Sequence, residues 1–103
     1  MSRTVLFLAK AEAELAEAAD WYESRSKGLG TEFLRALDAA IANIQRNPLG
    51  YQTVFGSVRR AVMRRFPYSV IYTFSDTEIL IVACFHGHRD PKSWQERASG
   101  RSE

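Results

Sequence analysis

Cysteine is the scarcest chemistry-bearing residue in this 103-residue sequence, which holds only Cys84. A single thiol excludes an internal disulfide. With only two histidines beside it, His86 and His88, no metal-ligand spacing for zinc can be assembled, and neither a metal nor a cofactor is expected. Long apolar runs are also missing. The N-terminal stretch Val5 to Ala9 is only about half as long as a signal-peptide hydrophobic region with its cleavage segment, and it leads straight into a charged helical pattern. It reads as a strand, and the chain is expected in the cytosol. Repeats and low-complexity tracts are absent too. The three prolines, Pro48, Pro67 and Pro91, all stand at breaks between periodic segments.

What is present describes an ordinary folded domain. A hydrophobic fraction of 46% with 25% charged residues is too apolar for disorder. A chain of this length buries roughly two thirds of the surface that its unfolded form exposes, enough for one core and one domain spanning residues 1–103. The net charge of +2 hides an uneven distribution. Residues 1–50 carry six bases and seven acids, whereas residues 51–103 carry eight bases and five acids, so the basic surface is expected from the second half.

Hydrophobic periodicity supplies the architecture. Over residues 9–26, Ala11, Leu15, Ala18, Ala19 and Tyr22 fall on one helical stripe, with carboxylates on the remaining surface. Lys27-Gly28-Leu29-Gly30 then carries helix-stop chemistry, with a glycine free to adopt positive φ. A second helix is predicted from Thr31 to Asn47-Pro48, with Phe33, Leu37, Ile41 and Ile44 on its inner face. The short connection makes the pair an antiparallel hairpin.

From Tyr51 the period becomes two, and strands are predicted at about Val58 to Phe66, Ser69 to Phe74 and Glu78 to Phe85. The last contains Ile79 to Phe85, apolar at every position, which puts apolar side chains on both faces of a sheet. The helical hairpin can cover one face; the other needs the C-terminal tail or a partner. The expectation is an α+β domain, β-α-α-β-β-β with a short C-terminal helix. Its helical hairpin packs on one face of a small, mainly antiparallel sheet.

Three groups of residues carry candidate chemistry. Arg59, Arg60, Arg64 and Arg65 lie on one predicted strand, with Arg60 and Arg64 on one face and Arg59 and Arg65 on the other. Guanidiniums so placed either bind phosphates or serve as edge-strand charges and partners for the acidic first helix. His86, His88 and Arg89 at the end of the last strand suit acid-base work, because imidazole titrates near neutral pH. Asp90-Pro91 reads instead as the cap and first position of a C-terminal helix. The aromatics Trp21, Tyr22, Tyr51, Tyr68, Tyr72 and Trp94 fit either core packing or base stacking.

The combination of Trp21-Tyr22-Glu23, Gly28-Leu29-Gly30, Val58-Arg59-Arg60, Arg65-Phe66-Pro67-Tyr68 and His86…Arg89-Asp90-Pro91…Trp94…Arg97 resembles the RelE/ParE superfamily, the toxin halves of type II toxin-antitoxin modules. The resemblance covers nearly the whole chain, and the Arg-Phe-Pro-Tyr and His-x-x-Arg-Asp-Pro-x-x-Trp stretches are its most specific parts. It implies a helical hairpin on an antiparallel sheet. It also implies an antitoxin encoded beside the toxin, wrapping it as helix and strand in a hetero-oligomer and covering the second apolar face.

RelE-like members of the superfamily cleave mRNA on the ribosome; ParE-like members inhibit DNA gyrase. In the nuclease branch Arg64 and Arg89 would stabilise phosphorane charge and His86 or His88 would act as base. Here Trp94 stands where that branch has a tyrosine, and Lys10, Lys27 and Lys92 are the only lysines. The resemblance therefore implies a ParE-like growth inhibitor, with Arg59, Arg60, Arg65, Tyr68, Trp94 and Arg97 contacting target or antitoxin. An mRNA endoribonuclease using Arg64, Arg89 and a histidine is the alternative, and an inert remnant that keeps antitoxin binding is the second.

Overall fold

The computed structural model describes residues 3–87 and Gln95. Strand β1 (Thr4–Phe7) leads into helices α1 (Ala9–Arg25) and α2 (Leu29–Arg46), followed by a 3₁₀ turn at Pro48–Gly50. Four strands complete the described chain: β2 (Gln52–Phe55), β3 (Val58–Val62), β4 (Tyr68–Phe74) and β5 (Glu78–His86). The sheet order is β1-β5-β4-β3-β2, with every pairing antiparallel except β1 beside β5. The α+β reading with a helical hairpin on one face of a mainly antiparallel sheet holds. The predicted C-terminal helix, with His88, Arg89, Trp94 and Arg97, lies outside the described residues.

Three details differ from the sequence reading. Strand β2 was not anticipated, and the described order is β-α-α-β-β-β-β. Gln52 and Thr53 are exposed on this edge strand, so its segment shows no apolar alternation. Helix α2 starts at Leu29, two residues earlier than expected, because Gly28 at φ 89° makes the sharp turn by itself. Strand β3 ends at Val62 rather than Phe66, and Arg64 and Arg65 belong to the connection to β4.

The helices meet through a specific corner. Glu23, in the last turns of α1, accepts hydrogen bonds from the Gly28 and Gly30 backbone N–H groups, each 2.9 Å long. One carboxylate thus satisfies two otherwise orphaned donors at the start of α2 and places negative charge at the positive end of its dipole. Gly30 sits so close to α1 that a Cβ there would lie 2.6 Å from the Ala19 carbonyl oxygen. The small inner face of α1, with Ala11 and Ala18 buried, permits this proximity.

The main core fills the space between helices and sheet. Ala11, Leu15, Ala18 and Tyr22 of α1 join Phe33, Leu37, Ile41 and Ile44 of α2 over Ala61, Val70, Tyr72, Ile79, Ile81 and Cys84. The unbroken apolar run of β5 has a structural cause. Tyr72 pairs with Ile81 and Ile71 with Ala83, so the register skips Val82. This bulge shifts the alternation by one: Ile79, Ile81 and Cys84 face the helices, while Val82, Ala83 and Phe85 join Val58 and Ile71 on the opposite face. Those five residues are themselves buried, with Ile71 and Ala83 fully so. The second face thus carries a small core of its own, and its exposed apolar side chains include Val62 and Leu6 toward its margins.

The corner yields a direct test. Gly30→Ala forces the added methyl against the backbone of α1, and such overpacking is expected to cost about 2 kcal/mol. Thermal unfolding of the variant beside wild type measures it; an unchanged midpoint would show that the helices can separate freely.

Candidate functional site

Two clefts flank the helical hairpin, and they carry opposite charge. The first, about 530 Å³, lies along the side of α1 turned away from α2, where Glu14, Glu17, Ala18 and Trp21 face Tyr68 and the end of β5 at Cys84, Phe85 and His86. Glu14, Glu17 and Trp21 recur at i, i+3 and i+7, which aligns them on one helix flank. Glu14 accepts a 3.0 Å hydrogen bond from the Cys84 backbone N–H. Strand β1 has already ended when β5 reaches this point, its last bond running from the Leu8 N–H to the Ile81 carbonyl. The helix carboxylate replaces the missing strand at Cys84.

His86 stands at the mouth of this cleft. Its ring meets Tyr68 edge-on at 5.3 Å, and Gly87, at φ 59°, donates its N–H to the Pro67 carbonyl. Tyr68 in turn packs on Phe33 at 5.1 Å and on Tyr22 at 6.0 Å. Tyr68, expected as a contact residue, is therefore also part of the wall that supports His86.

The same cleft contains Cys84, His86 and two carboxylates, types that suggest nucleophilic catalysis. Burial and the nearby Glu14 charge instead push the Cys84 thiol up to about 12. It stays protonated at neutral pH and supplies no thiolate. Among the described residues no group of His, Cys, Asp and Glu side chains is arranged to hold a metal ion.

The second cleft, about 590 Å³, lies between the far flank of α2 and β3 with the connection that follows it. Arg35, Arg64 and Arg65 reach it together with Glu32, above walls of Ala36, Ala39, Ala40, Ala61 and Val62. The connection explains the arginines. Met63 and Phe66 are both buried, and a left-handed Arg65 at φ 71° reverses the chain between them, so Arg64 and Arg65 are exposed. Arg65 pairs with Glu32 at 2.7 Å, not with the acidic first helix.

The four arginines therefore do not share one strand. Arg59 and Arg60 alone lie on β3, and their register partners place them on opposite faces, Arg59 with Tyr72 and Arg60 with Ile71. Arg59 faces the core side, where it donates to the carbonyls of Leu49 and Tyr51 and lies 5.9 Å from the Phe74 ring. It fastens the 3₁₀ turn to the sheet. Arg60 occupies the second face. Arg64 and His86, paired in the nuclease expectation, open into different clefts that share no lining residue. Arg35, Glu14 and Glu17 are not among the site residues expected from sequence; the helical spacing of Glu14 and Glu17 matches an ordinary solvated flank.

Two buried acids make stability sensitive to alkali. Tyr72 donates its hydroxyl to the Pro48 carbonyl at 2.6 Å, and burial raises it to about 12, against the opposing pull of Arg59. Cys84 is raised likewise from 9.0. The unfolded chain loses these protons first, so the stability from the protonated forms is complete below pH 9 and declines as pH rises towards 12. Melting temperatures measured from pH 8 to 11 are expected to fall, and Cys84→Ala and Tyr72→Phe should each flatten the decline. Equal slopes in both variants and wild type would contradict this account.

Residues 5–91 match the family described as the ParE toxin of the type II toxin-antitoxin system, parDE. No curated protein matches the sequence. Among solved structures, the chromosomal ParDE toxin-antitoxin system of P. aeruginosa is similar at TM-score 0.70 and 18% identity, covering 84% of this chain and 98% of that one. A mutant of the E. coli toxin RelE in the free state is similar at TM-score 0.67 and 13% identity over 100% of both chains. The toxin-antitoxin complex RelBE2 from Mycobacterium tuberculosis gives TM-score 0.59 and 20% identity, covering 84% of this chain and 99% of that one. At these identities the structures establish a shared fold, and the family match covers most of the sequence. The chain belongs to the ParE toxins of type II toxin-antitoxin systems, within the RelE/ParE superfamily.

Proposed function

We propose that this toxin arrests growth by binding DNA gyrase rather than by cutting mRNA, and that an antitoxin encoded beside it neutralises it. The observation that carries the reading is the separation of Arg64 from His86. Metal-free RNA cleavage needs a base and a cation converging on one phosphodiester. His86 instead shares its cleft with Glu14 and Glu17, whose charges repel a phosphate, while Arg64 lies on the other flank of the hairpin. The antitoxin reading is supported by the neighbours, two of which are described as toxin-antitoxin systems or complexes.

Binding then falls to surface residues. Arg59 is committed to carbonyls inside the fold, and Tyr68 to the aromatic wall under His86. Arg60 and the exposed Arg65 remain on the surface, and Trp94 and Arg97 complete the target-contact set of this proposal. A tryptophan with flanking arginines suits this task, because large aromatic and guanidinium side chains dominate binding energy at protein interfaces.

The test is a supercoiling assay with purified toxin in excess over gyrase, run beside primer extension on translated mRNA. Supercoiling should be inhibited and the mRNA left uncut. Trp94→Ala should weaken inhibition at least tenfold, about 1.4 kcal/mol of contact energy. Codon-positioned cuts that vanish in Arg64→Ala would overturn the proposal in favour of a nuclease, and failure to arrest growth without antitoxin would indicate an inert remnant.

A further inference from the structure

The cleft on the α1 flank has a feature that solvation does not require. Trp21, the largest of the exposed apolar side chains among the described residues, stands there 50% exposed, while its neighbour Tyr22 supplies the contact with the core. Covering that indole with a partner removes from water apolar area that the fold leaves in it. The ring is steadied from outside the cleft: Tyr22 meets it edge-on at 5.1 Å, and the Arg25 guanidinium lies 4.6 Å from its centroid without lining the cleft. The remaining surface of the indole borders the cleft, beside the buried Ala18 and Cys84. The carboxylates are placed as firmly. Glu14 is fixed by accepting the Cys84 N–H at 3.0 Å, and Glu17 follows almost one helical turn later on the same flank, with no cation paired to it among the described residues.

We infer that this cleft is a docking face for the protein target of the toxin, and that it seats a long basic side chain, arginine or lysine, projecting from the surface of that target. The inference rests on the gyrase reading above and adds which face of the toxin meets the target and what chemistry that face selects. The flank from Glu14 to Trp21 is about 10 Å long at 1.5 Å per residue. A basic side chain laid along it puts its aliphatic stem on Ala18 and the indole and its charged head between Glu14 and Glu17, so that apolar and ionic contacts are made together. The carboxylates repel phosphates, which excludes nucleic acid as the occupant, and against a neutral or acidic protein surface they would be left desolvated and unpaired. An aromatic anchor surrounded by fixed charge is the composition that concentrates binding energy at protein interfaces. The face also adjoins the contact set proposed above, since the segment carrying Trp94 and Arg97 continues from Gly87, next to His86 at the mouth of the cleft.

The experiment measures the toxin concentration that half-inhibits gyrase supercoiling, with Trp21→Ala and the double variant Glu14→Gln/Glu17→Gln beside wild type. Glutamine at position 14 keeps an oxygen for the Cys84 N–H, so the double variant removes charge without removing that hydrogen bond. Glu12→Gln/Asp20→Asn, at exposed positions of α1 outside the cleft, makes the same change in net charge and serves as control. Circular dichroism melts establish that each protein is folded, and if Trp21→Ala is not, the charge variant decides. Each cleft variant should need at least tenfold more toxin, and the control should stay within about twofold of wild type. Cleft variants as potent as wild type, or a control that loses as much as they do, would overturn the docking face while leaving the gyrase reading intact. Absence of inhibition by wild type would overturn that reading and this inference with it.

Discussion

The burial of Phe66 is the packing event on which the rest of the molecule depends. Its ring meets Tyr22 of α1 at 4.8 Å and Phe33 of α2 at 5.4 Å, and the cluster extends through Tyr68 to His86. A residue in a tight connection between two strands thereby joins both helices to the sheet. The connection must turn sharply to deliver it, and Arg65 does so in a left-handed conformation that costs about 1–2 kcal/mol. Burying a phenylalanine stabilises by about 1.5–3 kcal/mol, with aromatic pairing in addition, so the exchange favours the fold. One consequence is electrostatic: with Met63 and Phe66 turned inward, Arg64 and Arg65 are directed outward beside α2.

The two helices thus separate two clefts of opposite sign. On the α1 flank, carboxylates surround the end of β5, and one of them completes the hydrogen bonding that β1 leaves unfinished. On the α2 flank, guanidiniums border an alanine wall. The near-neutral total charge of the chain conceals this polarity. The proposal of a binding module rather than a phosphodiesterase draws on this difference, since like charge repels an anion on the α1 flank and opposite charge attracts one on the α2 flank.

Much of the architecture was legible beforehand because it rests on strong periodic signals. The stripes Ala11-Leu15-Ala18-Tyr22 and Phe33-Leu37-Ile41-Ile44 are buried, with Ala19 of the first half-buried beside them, as a 3.6-residue repeat requires. Strand β2 escaped notice because an edge strand with exposed Gln52 and Thr53 needs no apolar pattern. The apolar pattern continues past the end of β3 because Met63 and Phe66 are core residues, but they reach the core from a turn rather than from a continuing ladder. The resemblance carried by Arg-Phe-Pro-Tyr pointed to the right family, although in this fold that segment is chiefly a packing device, with Phe66 in the core and Tyr68 in a wall.

By itself, the sequence determined the helices, the main strands and the need for two apolar faces on β5, because local propensity and hydrophobic period act over a few residues and are written in order. The function of each arginine was a tertiary decision. Arg59 and Arg60 are neighbours on one strand, yet one binds internal carbonyls and the other occupies the far face, while Arg64 and Arg65 leave the strand altogether. The clefts were decided at the same level, since each combines a helix flank with residues roughly 20 to 70 positions away. No local pattern encodes that proximity; it follows from the bulge at Val82, the corner at Gly30 and the turn at Arg65, which set where the elements meet.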